Sequence, residues 1–372
     1  MFIPHKIPRF MLVGLSDPRA DKEEMYSDFE EVESLVTTYG GTVEAALVQN
    51  QTRGASGTFI GHGKVTEALE VIKEKEIDVV VINVAIKPGQ IHELLLAFQK
   101  ANPNIVVWDR VSLILEIFSK NAATMEAKLQ IKFAKLRQMG PRIYGMGMEL
   151  SNQAAGIGAK GAGETNTELM LRHWKNEKHK IQEELAVLSK QKLGQINHRR
   201  QLGAPTISLV GYTNAGKTTL FNRLSGQHDL VKNALFATLD STVNKFYLKS
   251  AQREVYISDT IGFIKNLPPE LIDAFKSTLL ETIHADVVLH VIDCSDPQME
   301  SKIITVEQIF GDLKIKREHV MYVFNKSEDL KSDKEQILEQ YKEFSPTFIS
   351  AKNGNGIEAL LNEITKRLPI SS

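Results

Sequence analysis

Apolar positions in the first hundred residues follow two alternating rhythms. Short strand-like apolar runs (10–15, 42–48, 78–84 and 105–108) are separated by longer stretches with apolar residues three and four apart (21–39, 64–75 and 89–100). The first rhythm suits strands and the second amphipathic helices, so the pattern predicts a small α/β domain with a mostly parallel sheet over residues 1–108. The rhythm then lengthens. Beyond Asp109, placed to cap a helix, Ile114, Phe118, Ala122, Met125, Leu129, Phe133 and Leu136 form one seam that ends near Gly140-Pro141. At 1.5 Å per residue this predicts a single helix ~40 Å long. A glycine-rich stretch (Gly156, Gly158, Gly161, Gly163) leads to a second seam of Leu171, Trp174, Ile181, Leu185 and Leu188. Two long helices joined in this way predict an antiparallel hairpin over residues 109–203. From Ala204-Pro205 onward, strand-like runs at 206–210, 255–258, 287–292, 319–324 and 347–349 alternate with helical patterns, which predicts a doubly wound sheet over residues 204–372.

Composition adds limits to this picture. Lys+Arg 45 against Asp+Glu 46 leaves no global field, so any nucleic-acid contact must rest on a local patch. The hairpin offers one on its outer faces, in Lys128, Lys132, Lys135, Arg137, Arg172, Lys175, Lys178, Lys180, Lys190, Lys192, Arg199 and Arg200. Glu164, Glu168, Glu177, Glu183 and Glu184 are interleaved with them, so a plain solvated surface is the competing reading. The single cysteine, Cys294, excludes an intramolecular disulfide, and its apolar surroundings suit a small buried residue rather than a nucleophile. No run of 18 apolar residues and no signal-peptide pattern occur, so a soluble cytoplasmic protein with no membrane span is expected.

The chemistry gathers in the third region. Gly211-Tyr212-Thr213-Asn214-Ala215-Gly216-Lys217-Thr218 fits the phosphate-loop pattern G-x-x-x-x-G-K-[ST] between a predicted strand and a helix that opens at Thr219. Glycines let successive N–H groups turn toward phosphate at the helix N-terminus, Lys217 adds charge for the β- and γ-phosphates, and the Thr218 hydroxyl suits Mg²⁺. Asp259-Thr260-Ile261-Gly262 ends the next predicted strand, with a carboxylate for the metal shell and a glycine N–H for the γ-phosphate. Between them, Leu235-Phe236-Ala237-Thr238-Leu239-Asp240 is a loop whose threonine could reach the metal, with Ser241 and Thr242 as competing candidates. Asn325-Lys326-Ser327-Glu328 stands where a guanine-reading Asn-Lys-x-Asp belongs. An acid there accepts from guanine N–H donors that adenine lacks; here it is Glu328, with Asp329 one residue out of register. Ser350-Ala351-Lys352 ends the last strand, with a backbone N–H for the guanine O6 and a lysine stem for the base.

Together these residues resemble the HflX family, in the Obg-HflX branch of phosphate-loop GTPases. Residues 211–219, Phe236-Ala237-Thr238-Leu239-Asp240 and Asp259-Thr260-Ile261-Gly262-Phe263-Ile264 carry the likeness, and the resemblance singles out Thr238 as the switch threonine. It extends to Gly57-Thr58-Phe59-Ile60-Gly61-His62-Gly63-Lys64 and to Gly161-Ala162-Gly163-Glu164-Thr165, hence to nearly the whole chain. Gly61-His62-Gly63-Lys64 superficially looks like the end of a second phosphate loop, but without the preceding glycine or a following Ser/Thr it reads as a turn before a helix, with a second nucleotide or RNA contact as the alternative. The family usually has Asp where this chain has Glu328, which bears on guanine selectivity.

The resemblance implies GTP/GDP and Mg²⁺ as ligands, with Thr218, Thr238 and Asp259 on the metal and Lys217, Thr238 and Gly262 acting in catalysis. It also implies K⁺ at Asn214. Phe263 stands where many GTPases carry a water-orienting glutamine, so slow intrinsic hydrolysis and a stimulating partner are expected. That partner is implied to be the large ribosomal subunit, with separation of stalled ribosomes under stress as the task of a monomeric protein, on the ribosome or at a membrane periphery. Two other functions compete: a nucleotide-dependent switch for a protein partner, and an ATP-using RNA-remodelling factor.

Overall fold

The computed structural model describes residues 7–16, 18–19, 22–52, 54–138, 166–226, 236, 241–265, 269–330 and 334–369. The chain divides into two compact units, residues 1–120 with 131–182 and residues 121–130 with 183–372.

In the first unit, β1 (Arg9–Ser16), α1 (Lys22–Tyr39), β2 (Thr42–Asn50), α2 (His62–Glu74), β3 (Val79–Ile82), α3 (Pro88–Phe98) and β4 (Val106–Asp109) alternate as the rhythm predicts. The strands pair in parallel in the order β2-β1-β3-β4. Phe10 to Val13 and Val79 to Ile82 are buried along every residue, which is why these strands read as continuous apolar runs.

The long helix expected beyond Asp109 is two helices. Asp109 does cap the first, α4 (Arg110–Asn121), through its Oδ1, which accepts from the Ser112 N–H at 2.8 Å. The chain then breaks at residues 122–124, and Thr124 caps a new helix, α5 (residues 125–138), its Oγ1 accepting from the Ala127 N–H at 3.1 Å. The interruption resets the helical phase. Met125, counted in the apolar seam, is 70 % exposed, while Ala127, Gln130, Ile131 and Ala134 are buried.

Helix α6 (Asn166–Gln201) runs antiparallel to α5. The Trp174 indole N–H donates to the Leu136 carbonyl at 2.6 Å, Lys132 pairs with Glu177 at 2.7 Å, and Lys192 lies 3.8 Å from Glu126. The stripe predicted for α6 is its less exposed side, with Ile181 buried, and it continues through Ile196. The glycine-rich stretch, including Gly161 to Thr165, lies outside the described residues.

The second unit continues through β5 (Thr206–Val210), α7 (Lys217–Ser225), β6 (Thr242–Leu248), β7 (Arg253–Asp259), α8 (Pro269–Ala274), α9 (Leu280–Ile283) and β8 (Val287–Asp293). It ends with α10 (Met299–Asp312), β9 (Val320–Asn325), α11 (Lys334–Gln340), β10 (Thr347–Phe348) and α12 (Ile357–Arg367). The sheet order is β10-β9-β8-β5-β7-β6, parallel except for β6 against β7. This is the doubly wound sheet expected from the sequence, with one strand more. β6 is an edge strand with no clean in-and-out alternation, which hid it from the pattern. Ile207, Leu209, Val255, Ile257, Leu289, Val291, Met321 and Val323 form the core beneath α7 and α12.

Candidate nucleotide site

Strand β5 ends at Val210 and α7 begins at Lys217, so Gly211 to Gly216 form a loop at the carboxyl edge of the sheet. Gly216 has φ 90°, and a Cβ there would stand 2.2 Å from Asn325 Nδ2, so both backbone and space demand glycine. Asn214 is exposed at the tip with φ 63°, a conformation that asparagine tolerates better than most residues. Ala215 is buried beneath it. The buried Lys217 ammonium donates to the carbonyls of Gly211 (3.2 Å) and Tyr212 (2.8 Å). Burial pulls its pKa down to about 8, against the opposing attraction of Asp259.

The stretch after β7 is laced to this loop. The Thr213 N–H donates to the Phe263 carbonyl at 2.8 Å, the Phe263 N–H to the Gly211 carbonyl at 3.1 Å, and the Lys265 N–H to the Tyr212 hydroxyl at 2.7 Å. The Thr218 hydroxyl donates to Asp259 Oδ2 at 2.7 Å, so two groups read from the sequence as metal ligands are adjacent. Thr260 is buried and donates to the Leu209 carbonyl at 2.7 Å, while Ile261 packs beside it. Gly262 is brought against the loop: a Cβ there would lie 2.9 Å from Thr213 Cγ2 and 3.1 Å from Lys217 Nζ. Phe263 is 1 % exposed and serves as packing. Thr219 lies in the first turn of α7, and Phe236 is buried with φ 58°. Ala237, Thr238, Leu239 and Asp240 lie outside the described residues.

The remaining motifs meet through Asn325. Its Nδ2 donates to the Ala215 carbonyl at 2.8 Å and its Oδ1 accepts from the Ala351 N–H at 2.9 Å. Lys326, with φ 61°, pairs with Asp293 at 2.5 Å. The Ser327 N–H donates to the Ile349 carbonyl, and Glu328 and Asp329 follow, both exposed, in one 3₁₀ turn. Ser350 and Ala351 are buried and Lys352 is exposed.

Two residues that the sequence reading missed support this loop. Arg223 on α7 donates to the carbonyls of Ala351 (2.6 Å) and Lys352 (2.5 Å), and Asp293, which holds Lys326, is the register partner of Asn325 across β8 and β9. The second could have been found by aligning the two strand ends; the first has no local signal.

Other expectations are also located. Gly61 precedes α2 with its N–H donating to Gln49 Oε1 at 2.8 Å, and Lys64 pairs with Glu67 at 2.7 Å, which is the turn before a helix. Cys294 is buried, and burial pushes its thiol up to about 12, far from a nucleophile's range. Lys192 and Arg199 do not belong to the outer basic face: Lys192 donates to Ser241 Oγ at 2.8 Å and Arg199 pairs with Glu281 at 2.5 Å. Among the described residues no helix is long and apolar enough to cross a membrane.

Residues 206–346 match a family model described as a 50S ribosome-binding GTPase, residues 26–119 one described as a GTP-binding GTPase N-terminal region, and residues 121–199 one described as a GTP-binding GTPase middle region. The GTPase HflX of Caldanaerobacter subterraneus subsp. tengcongensis is 38 % identical over 360 residues, which span 97 % of this chain and 80 % of that protein. The GTPase HflX of Escherichia coli is 37 % identical over 345 residues, 92 % of this chain and 79 % of that protein. A solved GTP-binding protein from the archaeon Sulfolobus solfataricus, in complex with GDP, aligns over 97 % of this chain and 98 % of its own, with a TM-score of 0.51 and 22 % identity. That last likeness bears on the fold.

Proposed function

This chain belongs to the GTPase HflX family and is therefore a GTP-binding, GTP-hydrolysing protein; from that premise we propose that it works in the cytoplasm on the large ribosomal subunit, separating stalled ribosomes under stress. The observation that carries the proposal is the match of residues 206–346 to the 50S ribosome-binding GTPase model. The hairpin adds exposed cations at Lys128, Arg172, Lys175, Lys180, Lys190 and Arg200, where sequence-independent contacts to RNA phosphates would form.

In this reading, water attacks the γ-phosphate in line. Lys217 and the N–H groups of the 211–218 loop stabilise the charge that develops on the phosphates, with Gly262 beside the lysine as the γ-phosphate sensor and Thr238 as the switch threonine. The adjacent Thr218 and Asp259 fit a shared Mg²⁺, which would neutralise charge on the phosphate oxygens. Glu328 accepts from the guanine N–H donors, Ala351 presents its loop to O6, and the stems of Lys326 and Lys352 flank the base. Phe263 is packed away and has no group to orient water, so turnover is slow until a partner completes the site.

Asn214 is assigned to K⁺. Its left-handed backbone is a separate reason for asparagine, and Asn214→Gly preserves that backbone while removing the amide. The expected result is loss of K⁺ stimulation in this variant with GDP binding retained; undiminished stimulation would sink the assignment.

The partner is tested by sedimenting the protein with purified large subunits in the presence of GDP or a non-hydrolysable GTP analogue. Co-migration in the analogue state is expected. Absence of binding in every nucleotide state would overturn the ribosomal reading and leave the GTPase intact.

A further inference from the structure

Helices α5 and α6 meet the GTPase fold through a buried polar seam. Gln130 is fully buried, and its Nε2 donates to Ser277 Oγ at 2.6 Å and to Thr278 Oγ1 at 2.9 Å. Ser277 in turn donates to Glu126 at 2.6 Å. Four residues on, Glu281 is 2 % exposed and accepts from Arg199 Nη2 on both carboxylate oxygens, at 2.7 and 2.5 Å. Thr282, next in the chain, lies 2.8 Å from Ser208 on β5, the strand that leads into the phosphate loop. The segment from Ser277 to Thr282 is thus held between the helices on one side and the strand beneath the nucleotide loop on the other.

The same helices reach the other flank of the site. Lys192 donates to Ser241, and the next residue, Thr242, is the register partner of Asp259 across β6 and β7. One helix pair therefore grips the chain just before β6, whose first residue is paired with Asp259, and again at Ser277 to Glu281, beside the strand that leads to Lys217. Buried polar contacts of this kind add little net stability over apolar packing, but they penalise any displaced register by leaving groups unpaired. That is the property of a positioning device.

We propose that Gln130, Lys192 and Arg199 are positioning residues for GTP hydrolysis: from outside the GTPase sheet they fix the segments on both flanks of the phosphate site without touching nucleotide. An event that shifts α5 and α6 then changes the rate of hydrolysis rather than the affinity for GTP.

The test uses the full chain, with single-turnover GTP hydrolysis measured beside equilibrium binding of GDP and a GTP analogue. Arg199→Met and Gln130→Leu are expected to slow hydrolysis about tenfold while holding both dissociation constants within about twofold of the parent. Arg199→Lys should retain the rate within about threefold, and Glu281→Gln, which keeps a hydrogen bond to Arg199, covers the case in which Arg199→Met fails to fold. Glu177→Gln, which breaks the Lys132 pair farther along the same hairpin, should leave the rate unchanged. Unaltered hydrolysis in Arg199→Met and Gln130→Leu would overturn the proposal, as would nucleotide affinity falling in step with rate.

Discussion

The sheets of the two units finish the carboxyl edges of their parallel strands in opposite ways. In the first unit the edge is closed by its own side chains. Arg110 pairs with Glu31 and lies 3.4 Å from Asn83 Oδ1, while Asp109 accepts from Ser112 Oγ at 2.5 Å and from Gln138 at 3.2 Å. In the second unit the corresponding edge is an open backbone loop, residues 211–216, beside the strand-end side chains of Asp259, Asp293 and Asn325, and its buried Lys217 rests on two carbonyls, weaker partners than a phosphate. Open α/β sheets offer a ligand crevice at this edge as a matter of topology. The difference teaches that topology supplies the place and the side chains decide whether the protein has already filled it.

The largest test of that contrast is Arg110→Met. It removes a buried guanidinium from Glu31 and Asn83 and should cost about 3 kcal/mol of stability. Both tryptophans, Trp108 and Trp174, lie in the first unit, so their emission in urea reports that unit, while GTP turnover should hold. A parent-like midpoint would mean that the ion pair does not hold the edge. Next, Lys217→Ala should weaken GDP binding about a hundredfold, whereas Lys64→Ala should leave it within about twofold. A loss in Lys64→Ala, read by fluorescence titration, would give the first sheet a nucleotide edge of its own.

The smallest effect is on pH dependence. The free Lys217 ammonium titrates at about 8 because it is buried, and only its protonated form attracts phosphate. Raising the pH removes that proton from the free protein first, so GDP affinity should fall about fourfold between pH 7 and pH 8.5. A flat profile would show that the lysine stays charged throughout this range.

Much of this was legible in the chain because its signals are local. Strands buried on both faces gave continuous apolar runs, and the loop from Gly211 to Thr218 lies within eight residues of sequence whose glycines have one physical use. What escaped notice depends on distance or on phase. The break at Ala122-Ala123-Thr124 carries no proline or glycine, so an apolar seam could be drawn through it with Met125 on the wrong side. Arg199 and Lys192 looked like two more solvated cations because their partners, Glu281 and Ser241, are far along the chain. Gln130 sits in a helical stripe whose neighbours are apolar, and it becomes meaningful only when Ser277 and Thr278 are known to face it.

Asn325 has the last consequence. With one amide it fastens the Ala215 carbonyl and the Ala351 N–H, joining the loop around the phosphates to the loop assigned to the base. A shift of either loop pulls on the same side chain, so Asn325→Ala should loosen the phosphate loop and the base loop together rather than one of them.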